Sequence, residues 1–176
     1  MVGVAACAVV LAGAVYPALE PAAAAAQRAI PGPAPVFERL MGAWEGDGQL
    51  FGQPASFSMR WEWTLDRRFV ELSFENRLIQ PNGSARTVLR ARAFYTATEP
   101  LRGAWFDTRG EILELSAAAT DSTLVAEWSA ESETGRTTYR ILEPDLLEVR
   151  DEVLGDDGLR VFGVASYRRA GTGGGQ

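Results

Sequence analysis

The chain is dominated by short segments in which apolar and polar residues strictly alternate. Residues 56–63 place four apolar side chains on one face and four polar ones on the other: Phe57, Met59, Trp61 and Trp63 against Ser56, Ser58, Arg60 and Glu62. A period of two is typical of a β-strand that is buried on one side. The alternation recurs in segments that contain Val70, Leu89, Leu147 and Val161, so the sequence predicts an all-β protein.

Nine turn signals separate these segments, and each contains Gly, Asn, Asp or Pro, the residues that favour chain reversal. Nine turns imply ten strands, and strands joined by short hairpins form an antiparallel meander. Closing a meander into a barrel removes its exposed edges, so we expect an antiparallel β-barrel of roughly eight to ten strands. The turns are predicted at 52–54, 66–67, 81–83, 99–100, 109–110, 121–122, 134–135, 144–145 and 156–158.

One short helix is predicted before the first strand. Residues 35–41 carry apolar side chains at i, i+1, i+4 and i+5, and Gly42 follows them as a stop signal. A two-turn amphipathic helix at this position can cap one end of the barrel.

The N-terminal segment predicts export. Residues 2–15 are an uninterrupted apolar run, which is shorter than the about 20 residues of a membrane-spanning helix. Alanines at 22–26 add a cleavage pattern, so residues 1–26 are typical of a signal peptide. We expect a periplasmic or secreted mature chain without a stable membrane span: a linker at 27–35, a barrel domain at 36–169 and a flexible tail at 170–176. Residues 4–7 also resemble a lipobox, so a lipid anchor through Cys7 is the alternative.

The composition excludes several kinds of site. The chain has no histidine and no lysine, and its one cysteine, Cys7, lies in the predicted leader. The commonest general base, the thiolate nucleophile and the N and S ligands of zinc and haem are therefore missing from the mature chain. We expect no cofactor and no metal. The 17 basic residues are outnumbered by 23 acidic ones, a balance that disfavours nucleic acid as a partner, and no partner protein is indicated.

The start of the first predicted strand resembles a known motif. Residues 42–48 read Gly-Ala-Trp-Glu-Gly-Asp-Gly, which is similar to the G-x-W motif of the calycin superfamily of lipocalins, fatty-acid-binding proteins and nitrobindin-like barrels. Residues 65–69, 105–107 and 167–169 extend the resemblance over 36–169. It is closest to the nitrobindin-like branch and a related, uncharacterised bacterial group. The resemblance implies a barrel that holds a ligand inside.

The chain departs from the nitrobindin-like pattern at the residue that binds haem. Those proteins hold the iron through a histidine near the C-terminal end, which this chain lacks. Tyr139 or Tyr167 is a phenolic alternative in principle, but a buried tyrosine more often packs in a core. The chain therefore resembles a group of nitrobindin-like barrels that lack the haem-binding histidine.

A small barrel has room for one ligand only when some inward residues are small. The predicted inner faces include Ala91, Ala93, Gly163 and Ala165, and Val161 shares the face of the last two. Nine aromatic or polar residues are the candidates for ligand binding: Trp44, Trp61, Asn76, Tyr95, Trp105, Trp128, Tyr139, Asp151 and Tyr167. Core packing is the alternative role for each tryptophan.

Two of these candidates, Asn76 and Asp151, interrupt apolar faces near strand ends. We expect them at a barrel rim open to solvent, which relieves the burial penalty. Arg90 and Arg92 share the opposite face of their strand. Turned inward they would clamp a carboxylate or phosphate; turned outward they would pair with acidic residues of neighbouring strands, namely Glu71, Glu75 or Glu148.

Three functions remain open at this point. The leading interpretation is a non-catalytic exported barrel that binds a small, largely apolar ligand in its interior. The second is a solid barrel of the cell envelope that acts through its outer surface. The third is a carboxylate-based enzyme, for which Asp107, Glu111 and Asp151 are available.

Overall fold

The computed structural model describes residues 32–131 and 133–171, so the predicted leader, most of the linker and all but two residues of the tail lie outside the described residues. Within these bounds the chain forms one helix and ten strands. The helix, α1, spans Pro35–Leu40, and the strands are β1 (Gly42–Leu50), β2 (Gln53–Thr64), β3 (Phe69–Ile79), β4 (Ala85–Thr96), β5 (Leu101–Asp107), β6 (Ile112–Ala119), β7 (Thr123–Ser129), β8 (Thr134–Glu143), β9 (Leu146–Gly155) and β10 (Gly158–Arg169).

The ten strands form a closed barrel in chain order, and β1 completes it by pairing with β10. Each strand runs antiparallel to both neighbours, as hairpin connections require. The predicted all-β antiparallel barrel is therefore confirmed, at the upper end of the expected strand number. Over 32–131 and 133–171, no helix has the length and apolar character needed to cross a bilayer.

The helix α1 covers one end of the barrel, as predicted. Pro35 begins it, where a fixed φ suits the first helical turn. Val36, Phe37 and Leu40 are fully buried, and the Phe37 ring lies 6.4 Å from that of Trp61. This end of the barrel is therefore filled with side chains.

Two of the segments that carry the calycin resemblance, 42–48 and 167–169, meet at this closed end. The indole N–H of Trp44 donates to the Leu40 carbonyl at 2.7 Å, and the Arg169 guanidinium lies 4.3 Å from the centroid of the Trp44 ring. Arg169 also donates to the carbonyls of Met41, at 2.5 Å, and Pro144, at 2.9 Å. The motif thus joins the helix, the first strand and the last strand.

The predicted inner face of β10 is wrong at one position. The β9–β10 register shifts between Val161 and Gly163, which makes Phe162 the extra residue of a β-bulge. Val161 is 38% exposed, whereas Phe162 packs on Trp128 with ring centroids 6.4 Å apart. A bulge reverses the alternation locally, so Phe162 takes the interior place that the period-two pattern assigned to Val161.

Arg90 and Arg92 lie on the outer face of β4. Arg90 bonds Glu75 at 3.0 Å, and Arg92 bonds Glu71. The outer-face pairing is confirmed with Glu71 and Glu75, and neither arginine is available to clamp a ligand inside the barrel.

Candidate functional site

A cavity of about 260 Å³ lies inside the barrel. Most of its lining residues come from the strand ends that meet the β1–β2, β3–β4, β5–β6, β7–β8 and β9–β10 turns, which is the end opposite α1, and Tyr95 reaches it from the other end of β4. An apolar cavity of about 150 Å³ already holds benzene, so this cavity has room for a bicyclic molecule.

Aliphatic and aromatic side chains make up most of the wall. They include Leu50, Phe74, Leu89, Leu113, Leu115, Ala126, Val149, Val153 and Phe162. Exposed apolar residues continue this character around the open end of the barrel, with Phe51 in the first turn, Ile112 on β6 and Leu154 and Leu159 beside the last turn. An apolar wall and rim favour a ligand with a large apolar body.

Six of the nine candidate residues line this cavity: Asn76, Tyr95, Trp105, Trp128, Tyr139 and Asp151. The other three do not reach it. Trp44 and Trp61 are fully buried near α1, and the Trp61 ring lies 5.2 Å from that of Tyr139. Tyr167 is buried against β1, where its ring is 2.7 Å from the place that a Gly46 side chain would take. These three residues form the core below the cavity.

The four predicted small inner residues are buried, but none of them, all within the described ranges, lines the cavity. Ala93 is fully buried and lies opposite Trp105 in the β4–β5 register. A Cβ added to Gly163 would lie 2.8 Å from Asp151 Oδ2. Gly163 therefore leaves space for the carboxylate rather than for a ligand, and the small residue at the wall is Ala126.

Asp151 is the central polar group of the cavity. Its Oδ1 accepts a hydrogen bond of 2.7 Å from the Thr137 hydroxyl, and the Thr137 oxygen accepts one of 3.3 Å from the Trp128 indole. Burial raises the pKa of Asp151 to about 6, and the Thr137 hydrogen bond offsets part of the rise. The strand β9 continues to Gly155, so Asp151 lies below the rim that was expected for it, where the open cavity leaves the residue half-buried and in contact with solvent.

Asn76 is buried, against the expectation of a rim open to solvent. It is 6% exposed, and its Oδ1 has no hydrogen-bond partner among the described residues. The strand β3 continues to Ile79, which places Asn76 below the rim. A buried amide oxygen without a donor is unusual in a folded protein, but this atom has almost no accessible surface, so Asn76 lines the cavity with the rest of its side chain.

Two tyrosines, Tyr95 and Tyr139, complete the polar part of the wall. Their hydroxyl groups interact with each other, and burial raises the pKa of both above the ordinary value. The negative charge of Asp151 raises both further. Both phenols are therefore neutral at physiological pH, and Asp151 is the acidic group of the cavity floor.

An ion-pair cluster stands at the cavity mouth. Arg109 contacts Asp107 at 2.8 Å and Glu133 at 3.0 Å, and the Trp105 indole donates to Asp107 at 3.0 Å. Burial alone would raise the pKa of Asp107, but the Arg109 and Trp105 hydrogen bonds lower it below the ordinary value. The cluster joins the β5–β6 turn to the β7–β8 turn beside the cavity.

The carboxylates proposed for enzymatic chemistry do not form a pair. Asp107 is held by Arg109, and Glu111 is exposed, so Asp151 is the one of these three carboxylates that lines the cavity. A two-carboxylate mechanism needs both groups to flank one substrate bond. The described residues also contain no cluster of three or more Asp, Glu, His or Cys side chains placed to hold a metal.

The residues of the site that sequence reasoning missed include Val88, Arg109, Thr137 and Phe162. Val88 and Leu89 both line the cavity, because the β3–β4 register shifts opposite them and Val88 has no partner. The bulges carry no strong local signal. Thr137 was detectable, since it falls on the same face of β8 as Tyr139.

No protein-family model matches the chain, and no curated protein matches its sequence. Solved structures with a similar fold include a redesigned β-barrel, at 10% identity over 79% of this chain and 98% of that one, with a TM-score of 0.45. A point variant of the fluorescent protein UnaG is 16% identical over 76% of this chain and 97% of that one, with a TM-score of 0.47.

Proposed function

We propose that this protein is a calycin-like barrel that binds a small, largely apolar ligand in its interior without catalysing a reaction. The observation that supports the proposal is the cavity of about 260 Å³ with an apolar wall and an opening at one end. A solid barrel has no such space, because its inner residues fill the interior.

The cavity also contains polar groups that can orient a ligand. Ligand sites are typically apolar with a few convergent polar atoms, and Asp151, Asn76 and the Tyr95–Tyr139 pair fill that role here. The absence of a second free carboxylate among the described lining residues favours binding over acid–base hydrolysis.

The test is calorimetric titration with 1-naphthylmethanol, a neutral bicyclic probe. We expect saturable binding by the parent protein and its loss in Ala126→Phe, since Ala126 lines the cavity and the phenyl ring would fill it. Filling a cavity should change the free energy of unfolding by less than about 1 kcal/mol, whereas overpacking a solid core costs about 1–3 kcal/mol.

Ala118→Phe is the matched control. Ala118 is exposed on the outer face of the neighbouring strand β6, so the same substitution there should leave binding unchanged. Absence of binding by the parent, or binding that survives Ala126→Phe, would contradict the proposal and favour an outer-surface function.

We further propose that the chain is exported. The support is the apolar run at 2–15 and the alanine segment at 22–26. N-terminal sequencing from the native host should begin near Gln27. A cytoplasmic chain that retains Met1 would contradict export, and a diacylated Cys7 would establish the lipid-anchored alternative.

A further inference from the structure

The Asp151 carboxylate is a hydrogen-bond acceptor with unfilled capacity in the cavity. Thr137 is the donor that the described residues supply to it, and it occupies Oδ1. An acceptor at a partly buried site is unfavourable without donors, so a ligand that supplies N–H groups complements the Asp151 Oδ2.

The charge around the cavity is negative. Three charged residues line it, namely Arg109, Glu133 and Asp151. Arg109 is already bonded to both Asp107 and Glu133, so no unpaired cation lines the wall among the described residues. An anionic headgroup would meet the Asp151 carboxylate, while a cationic one would compensate it.

The aromatic side chains at the same wall favour a cation as well. Trp105, Trp128, Tyr95 and Tyr139 line the cavity. The π-face of an indole or phenol ring attracts an organic ammonium group, most strongly where water is excluded. The carboxylate and the rings therefore both favour a positive charge on the ligand.

We propose that the ligand is an organic cation, an apolar amine whose ammonium group pairs with Asp151 while its body fills the apolar part of the cavity. This inference rests on the proposed function, because it names the class of ligand for the same site.

The test compares three probes of nearly equal shape: 1-naphthylmethylamine, 1-naphthylmethanol and 1-naphthoic acid, each titrated calorimetrically into the parent protein at about pH 7.5, where aliphatic amines are protonated. A hydrogen bond to a charged partner is stronger than a neutral one. We expect the amine to bind at least about ten-fold tighter than the alcohol, and the acid to bind most weakly.

Asp151→Asn removes the charge but keeps an oxygen to accept the Thr137 hydrogen bond. In this variant the amine should lose its advantage and bind as the alcohol does. Glu148→Gln is the matched control, since Glu148 is exposed on the outer face of the same strand and loses the same charge there. The control should keep the preference for the amine.

The possible results separate the two proposals. Equal binding of amine and alcohol by the parent, tightest binding of the acid, or an amine preference that persists in Asp151→Asn would each overturn the cation inference and leave the binding function intact. Failure of all three probes to bind would overturn the binding function and the inference with it. The comparison on the parent protein does not depend on how any variant folds.

Discussion

Replacing Asp151 with asparagine should stabilise the unliganded barrel at neutral pH. The carboxyl lies in the cavity, where Thr137 donates its hydrogen bond, and burial raises its pKa from an ordinary 3.8 to about 6. The ionised form is therefore less favourable in the folded chain than in the unfolded one. Asparagine has nearly the same shape and keeps the acceptor, but it cannot ionise.

The size of the effect follows from the pKa. Each pKa unit corresponds to about 1.4 kcal/mol, so a rise from 3.8 to about 6 amounts to at most about 3 kcal/mol, because Asp151 is half-buried and water in the open cavity screens its charge. Because the folded-state pKa is raised, the folded protein holds the proton more tightly. This contribution to stability is complete below about pH 4 and is lost as the pH rises through about 6. Above that pH the parent carries a buried charge that the variant lacks.

Among the described residues, no group coupled to Asp151 titrates in the pH range in which Asp151 itself titrates. Tyr95, Tyr139 and Tyr167 are the titratable groups coupled to Asp151, and burial raises the pKa of all three above the ordinary tyrosine value. They remain neutral over the whole range. The ion pairs on the outer face are common to both proteins, so their titration cancels when the variant is compared with the parent.

The assay is urea unfolding of the parent and Asp151→Asn at several pH values between about 4 and 8. The difference in unfolding free energy should be small near pH 4 and grow with pH, to at most about 3 kcal/mol in favour of the variant near pH 8. Glu148→Gln, which removes an exposed charge from the same strand, should show no such growth. A difference that stays flat with pH would refute the reasoning, since it would show that the carboxyl is solvated in the folded protein.

The barrel was predictable because one face of most strands is buried. Phe57, Met59 and Trp61 alternate with polar residues on β2, and all three are buried. A one-residue slip would turn such a face to solvent. The alternation therefore determines the inner face, and the turn residues determine how many strands there are.

The site was predictable only in part. Whether an inward-facing residue lines the cavity depends on its position along the barrel axis. Alternation shows that Trp61 and Trp128 both point inward, but the strand register decides that Trp61 packs near α1 while Trp128 lines the cavity. Asn76 is inside because its strand continues beyond it. Phe162 enters the wall through a bulge, which adds a residue without changing the hydrophobic pattern enough to be recognised.

Two further substitutions test the inner and the outer face of the barrel. Arg92→Ala removes an ion pair in which the arginine side chain is 63% exposed, so urea unfolding should show a loss of less than about 1 kcal/mol and titration should show unchanged probe binding. Gly163→Ala should have a larger effect, because the added Cβ would lie 2.8 Å from Asp151 Oδ2 and 3.2 Å from its Cβ. The carboxylate must move, and we expect a loss of about 1–3 kcal/mol from overpacking together with a weaker preference for the amine probe. Gly155→Ala is the control, since the nearest atom there is 3.8 Å away. Equal effects at 163 and 155 would show that the space beside Gly163 is not what positions the carboxylate.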